Sequence, residues 1–132
     1  MPRIVRVLVL FALIAGGLVG CGSDSSSSGV DLSGKKFENE QGKRAVTVDL
    51  VDNKFEPAYV TVSAGTTVTF DNTGHNRHNI ISVEDGFESI ASPLGGGESH
   101  EVTFERAGDY PYYCSLHGTA ARGMTGAIRV VK

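Results

Sequence analysis

From Ala45 onward, apolar and polar residues alternate with a period of two. Val46, Val48 and Leu50 are separated by Thr47 and Asp49, Val60 and Val62 flank Thr61, and Val68 and Phe70 flank Thr69. Ile81 and Val83 flank Ser82, Val102 and Phe104 flank Thr103, Tyr110, Tyr112 and Cys114 share a parity, and Ile128 and Val130 close the chain. Successive side chains of a strand point to opposite faces, so each run predicts a short strand with one buried face. The runs are bounded by turn-forming stretches: Ala64-Gly65, Asp71-Asn72-Thr73-Gly74, Gly95-Gly96-Gly97 and Ala107-Gly108-Asp109. Pro57 falls at a strand start, where a missing N–H is tolerated. No segment holds a 3.6-residue period over a dozen residues, which limits helix to a turn or two. The expectation for residues 45–132 is an all-β, antiparallel sandwich or barrel. A domain of that size removes roughly 60% of its unfolded surface from water.

Ahead of this domain the pattern changes twice. Arg3 and Arg6 precede an apolar run, Val7–Ile14, and then small residues. The run is short for a membrane span and reads as a signal segment. Leu18-Val19-Gly20-Cys21 resembles the lipobox of bacterial lipoproteins, in which the cysteine is acylated after cleavage. Residues 1–20 are therefore expected to be a lipoprotein signal peptide, with Cys21 the lipidated residue. Residues 21–44 are expected to be a tether. Gly22–Gly29 reads GSDSSSSG and offers nothing apolar to repay its ordering entropy. Residues 30–44 have only Val30, Leu32 and Phe37 to pack, and either add an edge strand or extend the tether. As coil the whole stretch reaches on the order of 25 Å. Two or more acyl chains would hold the protein at the extracytoplasmic face of a membrane.

Composition narrows the function. The chain has 132 residues, with 12 Lys and Arg against 15 Asp and Glu, for a net charge of −3. Cleavage before Cys21 would remove Arg3 and Arg6 and take this to −5. One domain is implied, too small for a multidomain enzyme. The absence of a basic block leaves nucleic-acid binding without an electrostatic basis. With Cys21 acylated, Cys114 becomes a lone thiol in an exported protein, where cysteines usually pair. It is then an accident, an intermolecular bridge or a functional thiolate.

The neighbours of Cys114 favour the last. His117 stands at a C-x-x-H spacing, Met124 follows seven residues after His117, and His78 begins another strand run. A thiolate, two imidazoles and a thioether form a mixed soft and borderline set suited to copper in both oxidation states. Zinc is the main competitor, but it gains little from a thioether and a structural site would want four strong ligands. A catalytic Cys–His pair is a third reading, with no orienting Asp or Asn in view. Taken alone, Cys114 would be read as a small buried hydrophobe. His75 competes with His78, and His100 reads as structural or solvated.

These residues sit within larger motifs. Phe55-x-Pro57-x-x-Val60-x-Val62-x-x-Gly65-x-x-Val68-x-Phe70-x-Asn72 leads into His78-Asn79. Gly108-Asp109-Tyr110-Pro111-Tyr112-Tyr113-Cys114-Ser115-Leu116-His117 and Gly123-Met124-Thr125-Gly126-Ala127-Ile128-Arg129-Val130 follow. Residues 46–132 resemble a cupredoxin, on the plastocyanin and halocyanin side of the blue-copper family. The resemblance implies a Greek-key β-sandwich or barrel of about seven to eight strands holding one type 1 copper. It implies His78, Cys114 and His117 as equatorial ligands and Met124 as the axial one. Asn79 matches the family residue whose hydrogen bonds tie the two ligand loops together and reach the Cys sulfur. One departure stands out: plastocyanins usually have four residues between the last two ligands, and here there are six, Gly118–Gly123.

The function implied is single-electron transfer by Cu(I)/Cu(II) cycling, in a monomer without enzymatic activity. Leu116, Ala120 and Ala121 match the apolar surface on which redox partners dock weakly and transiently. Arg122 would add a positive spot that selects an acidic partner. The alternative is a membrane-surface protein that delivers or stores copper, for which an open, displaceable metal would be expected.

Overall fold

A computed structural model describes residues 29–132. The expected signal peptide and Cys21 lie outside the described residues. Ten strands follow in order: β1 Glu38–Asn39, β2 Ala45–Val51, β3 Lys54–Glu56, β4 Tyr59–Ser63, β5 Thr66–Asp71, β6 His78–Ser82, β7 Ile90–Leu94, β8 Ser99–Phe104, β9 Gly108–Thr119 and β10 Arg122–Val131. A single 3-10 turn, Val83–Asp85, follows β6. The strands form a six-stranded sheet, β1-β4-β10-β9-β6-β7, and a four-stranded sheet, β3-β2-β5-β8. Most neighbours are antiparallel, but β4 runs parallel to β1 and β10, and β2 to β5. Parallel neighbours cannot be joined by a tight hairpin. The chain therefore crosses between the sheets, as a Greek-key sandwich requires.

All seven alternating runs are strands. The three further strands, β1, β3 and β7, have no apolar alternation to announce them. Each is short and is recruited by a neighbour: Glu38 and Asn39, for instance, pair with Val60 and Thr61. Of the two expectations for residues 30–44, these two residues take the edge strand. The parity of one run is corrected. In β6 the inward set is His78, Ile80 and Ser82, while Ile81 is half-buried and Val83 has left the strand. A one-residue change of parity moves every side chain to the other face. Here Ile80, fully buried in the core, sets the parity, and His78 turns inward with it.

The core lies between the sheets. Val46, Val48, Leu50, Val68 and Phe70 of the smaller sheet meet Val60, Val62, Ile80, Tyr112, Ile128 and Val130 of the larger. The Tyr112 ring sits at its centre, edge-on to Phe55 at 4.8 Å and to Phe70 at 5.2 Å. Such aromatic pairs contribute about 0.5–1.5 kcal/mol beyond the area they bury. Tyr112 is two residues from Cys114 on β9, so the core aromatics also steady the strand that carries the thiol. Phe70→Ala is expected to destabilise the copper-free protein by about 3–5 kcal/mol, read from chemical denaturation. A loss under about 1 kcal/mol would mean that this ring does not organise the core.

Candidate metal centre

The centre arises where one ladder of the larger sheet opens. Tyr113 pairs with Thr125, and Gly118 pairs with Gly123. Between those pairs β9 holds Cys114, Ser115, Leu116 and His117, whereas β10 holds only Met124. The four unmatched residues must bulge, and a bulge re-aims side chains out of the regular alternation. Cys114 and His117 can thereby face one point despite their odd spacing. Met124 stands opposite them, 1% exposed.

The ladder closes again because two glycines allow it. Gly123 has φ of +83°, and a Cβ there would lie 2.6 Å from the carbonyl oxygen of His117. A Cβ on Gly118 would lie 2.7 Å from the amide nitrogen of Met124. Beyond them Thr119 pairs with Arg122 around Ala120 and Ala121. The six residues between His117 and Met124 are thus a closed hairpin rather than an open loop. Its additional length goes to the tip and does not separate the ends that carry the two side chains.

His78 arrives from β6, and the residues before it are held by Asn72. The fully buried Asn72 side chain donates to the carbonyls of Asn76 at 2.7 Å and Leu94 at 2.9 Å. Its side-chain oxygen accepts the Gly74 amide. Asn79 then joins β6 to β9. Its Nδ2 donates to Ser115 Oγ, and its Oδ1 accepts the Ser115 amide, each at 2.8 Å. The expected contact from Asn79 to the thiol sulfur is not among these bonds. The sulfur instead faces the imidazoles: His78 Nδ1 at 3.8 Å and His117 Nδ1 at 3.5 Å.

The ligand atoms of His78, Cys114 and His117 all lie within 4.8 Å of one another. A first-row ion with bonds of about 2.0 Å to nitrogen and 2.3 Å to sulfur would hold trigonal N and S donors about 3.7 Å apart. The two N–S separations fit that spacing. The cluster contains no carboxylate. His78 and Cys114 have no exposed surface, while His117 is half-buried and follows Leu116, 52% exposed. Burial, together with the neighbouring His117, holds the His78 imidazole below its ordinary pKa of 6.5 and so in the neutral form that binds a metal. Its Nε2 is buried without a hydrogen-bond partner among the described residues.

The structure therefore brings His78, Cys114 and His117 together, with Met124 buried at the bulge opposite and Asn79 bracing the two strands. His75 and His100 are exposed and take no part. A buried thiol with no carboxylate in its cluster is poorly made for attack on a substrate. Sequence reasoning missed the bracing by Ser115, the hub formed by Asn72 and the closing of the hairpin. Ser115 was legible only as the residue after Cys114, and Asn72 only as a turn residue and the end of the first motif.

Two sheets in a Greek key, carrying a His, Cys, His set and a thioether, define the mononuclear type 1 copper class of electron-transfer proteins. Residues 42–131 match the family model described as copper binding proteins, plastocyanin/azurin family, and the chain belongs to that family. Its cofactor is copper. Plastocyanin A/B of Petroselinum crispum is 39% identical over 85 residues, covering 58% of this chain and 86% of that protein. Among solved structures, a reduced amicyanin variant superposes with a TM-score of 0.59 at 27% identity, covering 70% of this chain and 87% of that one. A copper-containing nitrite reductase from Thermus scotoductus gives a TM-score of 0.56 at 33% identity, covering 67% of this chain but 22% of that one.

Asn79→Ala removes both bonds to Ser115. It should cost the copper-free protein about 1–3 kcal/mol in chemical denaturation, and an unchanged midpoint would show that the brace carries no load. The depressed His78 pKa sets a pH dependence. Below 6.5 the unfolded chain binds a proton that the native state refuses. The copper-free protein should hold its stability above that pH and lose it progressively below. His78→Gln should flatten this slope in a pH series of denaturation midpoints.

Proposed function

We propose that this chain is a lipid-anchored, extracytoplasmic electron carrier in which His78, Cys114 and His117 are the equatorial copper ligands and Met124 the axial one. The observation that carries the assignment is the convergence of one buried thiol and two imidazole nitrogens at a single ladder opening, faced by a buried methionine. Bound copper supplies a one-electron Cu(I)/Cu(II) couple. The residues do the rest. Cys114 would give the thiolate, His78 and His117 the imidazoles, the former held neutral from inside the core, and Met124 a weak fourth donor able to tune the potential. Asn79 and Ser115 keep the two ligand strands in register. Because every ligand sits on a paired strand or beside one, both oxidation states would meet nearly the same donors.

Electron exchange is assigned to the His117 edge. Exposed Leu116 precedes it in the chain and Ala120 and Ala121 form the tip of the hairpin that follows, a set that suits a small apolar interface, one that forms weakly and lets a partner leave. Arg122 at the hairpin adds a positive charge that would favour an acidic partner. No residue is assigned a catalytic role, since the cluster offers neither an acid–base pair nor an open substrate position. We take the protein to be a monomer that binds no nucleic acid. Residues 45–132 form the copper domain, residues 1–20 a removed leader, and Cys21 the acylated anchor ahead of the tether.

The test is the visible spectrum of a soluble fragment beginning after Cys21, loaded with Cu(II), beside Cys114→Ser. An intense blue absorption at one copper per chain, lost in the variant and bleached reversibly by a one-electron reductant, is expected. A colourless protein, or a pale spectrum that survives the substitution, would overturn the thiolate ligand. Rapid loss of the metal to a chelator would move the function toward copper delivery.

A further inference from the structure

Residues 29–39 are bound to the outer surface of the larger sheet. The Gly29 amide donates to Glu84 Oε1 at 2.8 Å, beyond the end of β6. Three elements across the sheet, the Phe37 ring lies 5.5 Å from the outward-facing Tyr59, with the Arg129 guanidinium 4.0 Å above it. The Lys35 ammonium sits over the Tyr59 ring, 5.3 Å from its centroid. The Glu40 amide then donates to the Thr61 carbonyl at 2.8 Å, after the β1 pairing. This segment, a strap, lies ahead of residues 42–131, the part that matches the family. Between the strap and the hairpin tip is a cleft of about 310 Å³, lined by Gly29, Val30 and Leu32 on one side and by Ala120 and Ala121 on the other. The chain thus enters the domain beside the hairpin that joins His117 to Met124.

We propose that residues 29–39 are a fixed mount that holds the copper-side hairpin close to the membrane, and that the docking partner is a membrane-embedded one-electron redox protein. The proposal rests on the reading of Cys21 as the acylated residue. Eight Cα steps separate Cys21 from Gly29, and at about 3.6 Å per residue they span at most about 29 Å. A chain free as far as Ala45 would span at most about 86 Å when fully extended. The mount therefore cuts the permitted excursion of the domain about threefold. A partner that reaches Leu116, Ala120 and Ala121 has to fit within that short distance of the bilayer. A redox protein embedded in the same membrane meets this condition and gains a high effective concentration from it. A large soluble partner does not.

The test uses the acylated full protein in vesicles that contain a lipid-linked ferrocenium as a one-electron oxidant, so that Cu(I) gives one electron to each ferrocenium. It is compared with a variant carrying a 20-residue Gly/Ser spacer between Ser28 and Gly29. Oxidation by the lipid-linked probe should fall about fivefold in the spacer variant, with oxidation by soluble ferricyanide unchanged. Equal rates with the lipid-linked probe overturn the mount. So does coil-rate hydrogen exchange at the Glu40 amide in the vesicle-bound protein, because the strap would then be undocked while the anchor stands. Failure of the protein to sediment with vesicles, without loss of its blue colour, overturns the anchor and the proposal with it and leaves the copper site intact.

Discussion

The structure depends on one interruption in a β-ladder. Between Tyr113↔Thr125 and Gly118↔Gly123, four residues of β9 face one of β10. A regular ladder would send residues three apart to opposite faces of the sheet. Only because the pairing opens can Cys114 and His117 turn toward one point, and only because it closes again are they fixed there. Closure requires the backbones at Gly118 and Gly123 to approach more closely than any Cβ permits. The remaining parts serve this opening. Tyr112 anchors β9 just before it, β6 brings His78 beside it, and Asn79 with Ser115 clamps the two strands across it.

This arrangement suits electron transfer for a physical reason. A carrier exchanges an electron quickly when its donors scarcely move between oxidation states. Here the donors are held by core packing and paired backbone rather than by flexible side-chain reach. His78 stands on a strand whose parity is set by a fully buried isoleucine, and its approach is pinned by three Asn72 hydrogen bonds. Burial also keeps that imidazole neutral, which removes proton competition for its nitrogen near neutral pH. Of the three clustered residues only His117 is not fully buried, and it follows the one exposed large hydrophobic side chain among the described residues, Leu116.

Much of this was legible in the sequence, and the limits were physical. Alternation identified the strands that carry core side chains, because burial is what alternation records. It was silent on β1, β3 and β7, which exist through pairing with a neighbour and bury little of their own. It misjudged β6, where both Ile80 and Ile81 are apolar and the pattern alone cannot choose the inward one. The four ligand types were legible as a set because their chemistry is unusual in a chain with a lone thiol. How they meet was not. A bulge depends on register between strands distant in sequence, and register is decided by the whole sheet. The role of Ser115 was hidden for the same reason, since its partner is 36 residues away.

The differences from the family pattern fall outside the ladder opening. The six residues after His117 could have loosened the fourth ligand, but hairpin pairing at Gly118↔Gly123 keeps the added length away from Met124. The strap lies before the matched residues and touches none of the three clustered ligands. Both additions border the same surface cleft, with Tyr59 and Tyr112 in its lining. A copper site tolerates little change, because donor spacing and ring orientation must both survive it. A hairpin tip and a surface strap tolerate a great deal. The two departures are therefore confined to the surface, and the chemistry of the metal is left to residues that the core already holds in place.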